Sequence, residues 1–287
     1  MAPQNRYITL GGHRHRYIES GRSSHTMLLL HGISSSLDFY DQVIPALSAS
    51  FRVLAVDLLG FGLSDKPGEK EYSLKLYASL IREFLEKTDS IGENLYATGH
   101  SMGGKYLLAS ALHYPGTFRK LVLSNTDGFI HVPSWARIIS LPGVRQVLKK
   151  VMTGEKMSKK MFSAAFYRTD GVNRDSFRKN LDMARNKEAF DTVMSLNRNL
   201  TKLDLNRAGL RQRLGELKIP VLIIWGDRDQ YISPKVAESV KNELPCSNLV
   251  IFADCGHAPM LEYPVKFSDT VREFILSDNH NSGTPCS

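Results

Sequence analysis

The chain has 287 residues, 42% of them apolar, and a net charge of +8. This length and composition suit one large α/β domain, or a core with a smaller insertion, and supply enough apolar surface for a substantial core. The longest unbroken apolar runs, 221–225 and 249–253, have five residues and cannot span a bilayer, and residues 1–6 are polar rather than a secretory signal.

Residues 7–10, the pair Gly11-Gly12 and residues 13–20 predict a hairpin with a glycine turn. Its basic residues, with His13 and His15, read as a solvated face. No carboxylate or cysteine cluster accompanies the two histidines, so they do not read as a metal site. Residues 26–30 predict a buried strand. His31-Gly32-Ile33-Ser34-Ser35-Ser36 follows its C-terminal end, where open parallel sheets bind ligands. A helix over 39–48, containing Pro45, and a strand over 52–56 come next. The strand runs into Asp57-Leu58-Leu59-Gly60-Phe61-Gly62-Leu63-Ser64-Asp65. This loop lacks the P-loop lysine and the G-x-G-x-x-G spacing, and reads as structural. Leu76, Leu80, Ile81, Phe84 and Leu85 predict a helix over 73–87 with Ser73 as N-cap.

The chain is organised around Gly99-His100-Ser101-Met102-Gly103-Gly104. A short strand (94–98) precedes it and a helix (105–112) follows, the context that gives a G-x-S-x-G pattern its meaning. Gly99 and Gly103 remove the Cβ atoms that a strand turning at once into a helix would bring into collision. Ser101 is left in a strained turn beside a helix N-terminus. A strand over 121–125 follows, closed by Thr126-Asp127-Gly128. The alternation of strands and helices predicts a mostly parallel sheet covered on both faces.

From residue 133 to about 214 no strand-like run stands out. Residues 135–213 carry 18 Lys/Arg and 7 Asp/Glu, a net +11, while the rest of the chain is −3. Ile138, Ile139, Leu141, Val144, Val147, Leu148, Val151 and Met152 can form an apolar face beside Arg145, Lys149 and Lys150. Residues 133–214 read as a helical cap, or lid, inserted into a core of residues 1–132 and 215–276. The 138–152 face is also a candidate for peripheral membrane contact. Nucleic-acid binding is not expected, because the charges interleave with apolar residues and no reading motif is present.

The sheet resumes over 219–225 and is followed by Gly226-Asp227-Arg228-Asp229. A helix over 234–244 and a strand over 248–253 lead to Asp254-Cys255-Gly256-His257, and a helix over 264–276 closes the domain. The polar tail, 277–287, reads as disordered. The three cysteines, Cys246, Cys255 and Cys286, show no paired spacing; they argue against a disulfide framework and for a reducing, cytoplasmic location. Cys255 reads as a small buried filler.

A serine hydroxyl needs a base to take its proton and a third group to orient that base. Histidine is the natural residue type for that base, and His257 lies just past the last strand. Asp227 and Asp229 lie at the same sheet edge, as does Asp127. The chain order Ser, Asp, His is that of α/β-hydrolases. His31 and His100 read as supports for loop geometry, and His113 as a helix-end residue.

On these motifs the sequence resembles an α/β-hydrolase of serine esterase or lipase type with a helical cap, over nearly its whole length. The resemblance implies Ser101 as nucleophile, His257 as base and Asp229, fourth in the G-x-x-D turn, as acid, with Asp227 and Asp127 as rivals. It also implies an oxyanion hole from the backbone N–H groups of Met102 and Ile33, and neither a metal nor an organic cofactor. Serine, not aspartate, at the nucleophile position disfavours epoxide-hydrolase-like and dehalogenase-like chemistry. The expected substrate is a small-molecule carboxylic ester with an apolar acyl part. The alternatives are a thioesterase, a C–C bond hydrolase of the meta-cleavage-product type, disfavoured by the single glycine after His31, and a ligand-binding receptor on the same fold.

Overall fold

The computed structural model describes residues 4–68, 70–130 and 132–277; the tail beyond 277 lies outside the described residues. Strands β1 (Arg6–Leu10) and β2 (His13–Ser20) form the expected hairpin, followed by β3 (Thr26–Leu30). The expected helix over 39–48 is two pieces, a 3-10 turn at Leu37–Tyr40 and the short α1 (Ile44–Leu47). Pro45 sits in the first turn of α1, where its missing N–H costs nothing, and so marks a helix start rather than an interior. Then come β4 (Arg52–Val56), α2 (Leu74–Lys87), β5 (Leu95–His100), α3 (Met102–His113) and β6 (Lys120–Ser124). Ser73 caps α2, its hydroxyl accepting from the Leu76 N–H at 3.0 Å.

Between β6 and β7 the described residues form helices and turns and no strand. They are a 3-10 segment (Ser134–Ser140), α4 (Val144–Met152), α5 (Glu155–Ser163), α6 (Arg174–Ala184), α7 (Lys187–Arg198), α8 (Leu200–Leu203) and a second 3-10 segment (Arg211–Glu216). The chain ends with β7 (Val221–Gly226), α9 (Lys235–Glu243), β8 (Ser247–Phe252), α10 (Pro259–Glu262) and α11 (Pro264–Leu276).

The eight strands make one sheet in the order β1-β2-β4-β3-β5-β6-β7-β8. Pairings from β4 through β8 are parallel; β1 and β2 join antiparallel at one edge. The two-residue period of a strand sends alternate side chains to opposite faces. Leu28 and Leu30 of β3 pack with residues of α2 and α3, whereas Met27 and Leu29 pack with residues of α1 and α11. The sheet is therefore covered on both sides, and the β3, β5, β6, β7 and β8 C-termini share one edge.

The hairpin departs from expectation. His15 and Arg16 are buried rather than solvated. Arg16 reaches Asp57 (Nε to Oδ2, 2.6 Å) and Asp38 (Nη2 to Oδ2, 2.6 Å). Asp57 also accepts from the Leu37 and Leu63 N–H groups, each at 2.7 Å. The glycine-rich loop after β4 thus wraps a buried carboxylate of its own, which satisfies the pairing that a buried charge requires. Among the cysteines, Cys255 is a buried free thiol. Cys286 lies outside the described residues.

Candidate active site

The turn between β5 and α3 is crowded enough to dictate its glycines. A Cβ on Gly99 would lie 2.6 Å from the Gly104 nitrogen, and one on Gly103 would lie 2.3 Å from the Leu30 carbonyl oxygen. Ser101 stands between them at φ 51°, ψ −119°, a conformation that a residue bearing a Cβ rarely adopts. The turn is pinned through Ser101's own backbone. Its N–H donates to the Ser124 carbonyl at 2.9 Å, and its carbonyl accepts from the Asp127 N–H at 3.1 Å.

Gly32 brings the loop after β3 against this turn. A Cβ there would sit 3.1 Å from the Ser101 Cβ and 3.0 Å from the His100 Nδ1. Ile33 follows directly. Neither the Ile33 nor the Met102 N–H makes a hydrogen bond among the described residues. The Met102 amide also opens α3, where free donors and the positive dipole end favour an oxyanion.

At the ends of β7 and β8, the His257 Nδ1–H donates to Asp229 Oδ2 at 2.7 Å. Asn125 Nδ2 donates to the same oxygen at 2.7 Å, and the Tyr231 and Ile232 N–H groups donate to Oδ1 at 2.8 and 3.0 Å. Burial alone would raise the Asp229 pKa. The His257 hydrogen bond and charge, the Ile232 N–H and Asn125 outweigh it, and the carboxyl is held below its ordinary value. The rival aspartates are engaged elsewhere. Asp227 accepts from the Cys255 N–H at 3.3 Å, and Asp127 pairs with Lys105 at 2.5 Å.

His257 is placed next to the serine turn from behind. The His100 Nε2–H donates to the His257 carbonyl at 2.7 Å, and the two rings lie 4.8 Å apart. Burial, with the neighbouring His257 ring, drives the His100 pKa down to about 3, so His100 is a neutral support. His31 is likewise a support: its Nδ1–H donates to the Gly32 carbonyl at 2.7 Å and its Nε2 accepts from the Leu58 N–H at 3.0 Å. Among the described residues no hydrogen bond joins Ser101 Oγ to His257. Such pairs are commonly loose until substrate tightens them.

Three residues at the site were not singled out from sequence. Asn125 completes the acceptor shell of Asp229. Glu262, buried in α10, accepts from the Tyr167 and Arg168 N–H groups (both 2.9 Å) and from the Gly256 N–H (2.8 Å). It therefore ties the segment after α5 to the loop that carries His257, and the His257 N–H reinforces that tie by donating to the Ala165 carbonyl at 2.7 Å. Tyr231 meets the His257 ring edge-on at 5.3 Å and donates its hydroxyl to the Met161 carbonyl. No local pattern marks these three; they become legible only when strand ends are brought together.

Known proteins of similar sequence and shape match over most of the chain. It is 28% identical over 239 residues to Lipase 3 of Moraxella sp. (strain TA144), covering 82% of this chain and 72% of the lipase. It is 30% identical over 273 residues to a 2-hydroxy-6-oxononadienedioate/2-hydroxy-6-oxononatrienedioate hydrolase of Paraburkholderia phymatum, covering 91% of each. Its fold superposes on a thermophilic esterase from Thermogutta terrifontis with a TM-score of 0.79 at 21% identity, covering 95% of this chain and 98% of that one. The family model of the alpha/beta hydrolase fold matches residues 25–264, and the chain belongs to the α/β-hydrolase fold family.

Proposed function

We propose that the protein is a serine hydrolase that cleaves a small-molecule carboxylic ester through an acyl-enzyme intermediate. The observation that carries this reading is the Asp229–His257 hydrogen bond beside the strained Ser101 turn. Ser101 attacks the carbonyl and His257 takes its proton, then returns it to the departing alcohol. Water activated by His257 releases the acid. Asp229 fixes the imidazole with Nδ1 protonated, leaving Nε2 free to act as base. The Ile33 and Met102 N–H groups receive the negative oxygen of the tetrahedral intermediate. Loss of one such donor typically costs about 3–4 kcal/mol of barrier.

Residues 133–214 act as a cap in this reading. Supporting it, the segment after α5 is bonded to the His257 loop through Glu262 and Ala165, and α5 is bonded to Tyr231. A C–C bond hydrolase is the second reading, favoured by the 30% identity to the Paraburkholderia phymatum enzyme. An assay of p-nitrophenyl esters of graded acyl length beside a vinylogous 1,5-diketone separates the two. Turnover of the esters, abolished in Ser101→Ala, supports the esterase reading; turnover of the diketone alone would replace it.

A further inference from the structure

Helix α4 is turned the opposite way from an ordinary surface helix. Val144, Val147, Leu148 and Val151 fall at the i, i+3, i+4, i+7 spacing of a single apolar face. Such a face normally packs inward. Here Val144, Val147 and Val151 are exposed, Val147 at 65%, and α4 has no buried residue. On the same helix Lys149 is paired to Asp191 of α7. The preceding 3-10 segment, against which α4 packs, extends the patch with Trp135, 70% exposed, and Ile138. The stretch that carries the patch is basic: residues 135–163 hold seven Lys/Arg and one acidic residue, Glu155. Lys150, Lys156, Lys159 and Lys160 of this stretch are exposed.

We propose that this face docks on the surface of an anionic lipid bilayer. An exposed apolar stripe in a stretch with exposed lysines gains from both inserting side chains at the headgroup boundary and neutralising acidic headgroups. A second copy of the chain is a poor occupant, because a two-fold contact would oppose two strongly basic surfaces. No helix among the described residues is long and apolar enough to cross a membrane, so the contact is peripheral. The patch adjoins the site: α5 follows α4 directly and is bonded through Met161 to Tyr231, beside His257. Docking here would hold that end of the molecule against lipid. The inference goes beyond the hydrolase reading and does not depend on it.

The test is co-sedimentation of the full chain with vesicles of phosphatidylcholine alone and of phosphatidylcholine mixed with phosphatidylserine. The protein is expected to partition onto the mixed vesicles and at least about tenfold more weakly onto the neutral ones. The double substitution Val147→Asp, Val151→Asp should weaken binding by about tenfold or more. Lys150→Glu and Lys156→Glu should each weaken it by about fivefold, on mixed vesicles only. Val147→Trp should strengthen it. Turnover of a soluble short-chain ester should be unchanged in all four proteins, and Ser101→Ala should bind vesicles as the parent does, so a failed docking model and a failed hydrolase reading give different results. Absence of partitioning, or equal partitioning of the parent and the double variant, overturns the proposal. So does a parent chain that is dimeric in sedimentation while the double variant is monomeric, which would assign the face to a second copy.

Discussion

Asn125 and Asp229 meet at 2.7 Å, and the oxygen they share is the one that receives the His257 Nδ1–H. The same carboxylate thus orients the imidazole while two backbone amides hold its other oxygen. Asp227 and Asp127 have other partners. Asp229→Asn is therefore expected to lower kcat by about 10³–10⁴, the scale for losing the correct imidazole tautomer. Asp227→Asn and Asp127→Asn should each cost less than about tenfold. Steady-state kinetics on one ester checks all three. A larger loss at Asp127 or Asp227 than at Asp229 would reassign the acid.

Glu262 should behave as a positioning residue. Its two oxygens accept three backbone N–H groups from both sides of the joint between the His257 loop and the segment after α5. In Glu262→Gln the amide presents donors to at least one of these donors. The expected result is a loss of about 1–3 kcal/mol of stability, read from urea unfolding. kcat should fall and the pH profile of the remaining activity should move, because His257 loses its fixed backing. A variant with parental kinetics would confine Glu262 to a packing role.

Ser101 holds a positive φ that glycine adopts freely. Ser101→Gly should raise the thermal midpoint, with a gain of about 1–3 kcal/mol from released backbone strain, while abolishing turnover. Ser101→Ala keeps the Cβ and should abolish turnover without that gain. Equal midpoints for the two variants would mean that the turn stores no strain.

Burial depresses the His100 pKa to about 3. The unfolded chain takes up a proton at this position near its ordinary value, about 6.5, and the folded chain does not. Its contribution to stability is therefore complete above about pH 6.5 and is lost progressively as pH falls toward 3. Between pH 7 and pH 5 this linkage amounts to about 2 kcal/mol. His100→Gln, which retains a donor toward the His257 carbonyl, should lose that much less stability over the same interval. Parallel slopes for the two proteins would show that His100 titrates normally when folded.

The sequence revealed most of the sheet because β3, β5, β6 and β7 are short buried runs followed by glycine or by polar turns. It revealed the serine turn because Gly99 and Gly103 are forced by backbone contacts that can be foreseen from a strand joined directly to a helix. Ser73 was readable as a cap for a similar local reason. It misjudged the hairpin, where His15 and Arg16 look like a polar strand but are drawn inward by Asp57. The helix expected over 39–48 broke because Pro45 begins α1 rather than interrupting it. Asn125, Glu262 and Tyr231 were invisible for a different reason: each acts on residues more than 90 positions away, or through backbone groups, and no spacing rule encodes such a meeting.

Turnover by the proposed route requires a nucleophilic Ser101 activated by His257. Mass spectrometry of the protein after brief exposure to a fluorophosphonate reads this directly. The expected result is one adduct on the peptide bearing Ser101, absent in Ser101→Ala and formed orders of magnitude more slowly in His257→Ala. An adduct on another residue, or labelling of Ser101 at an unchanged rate without His257, would contradict it.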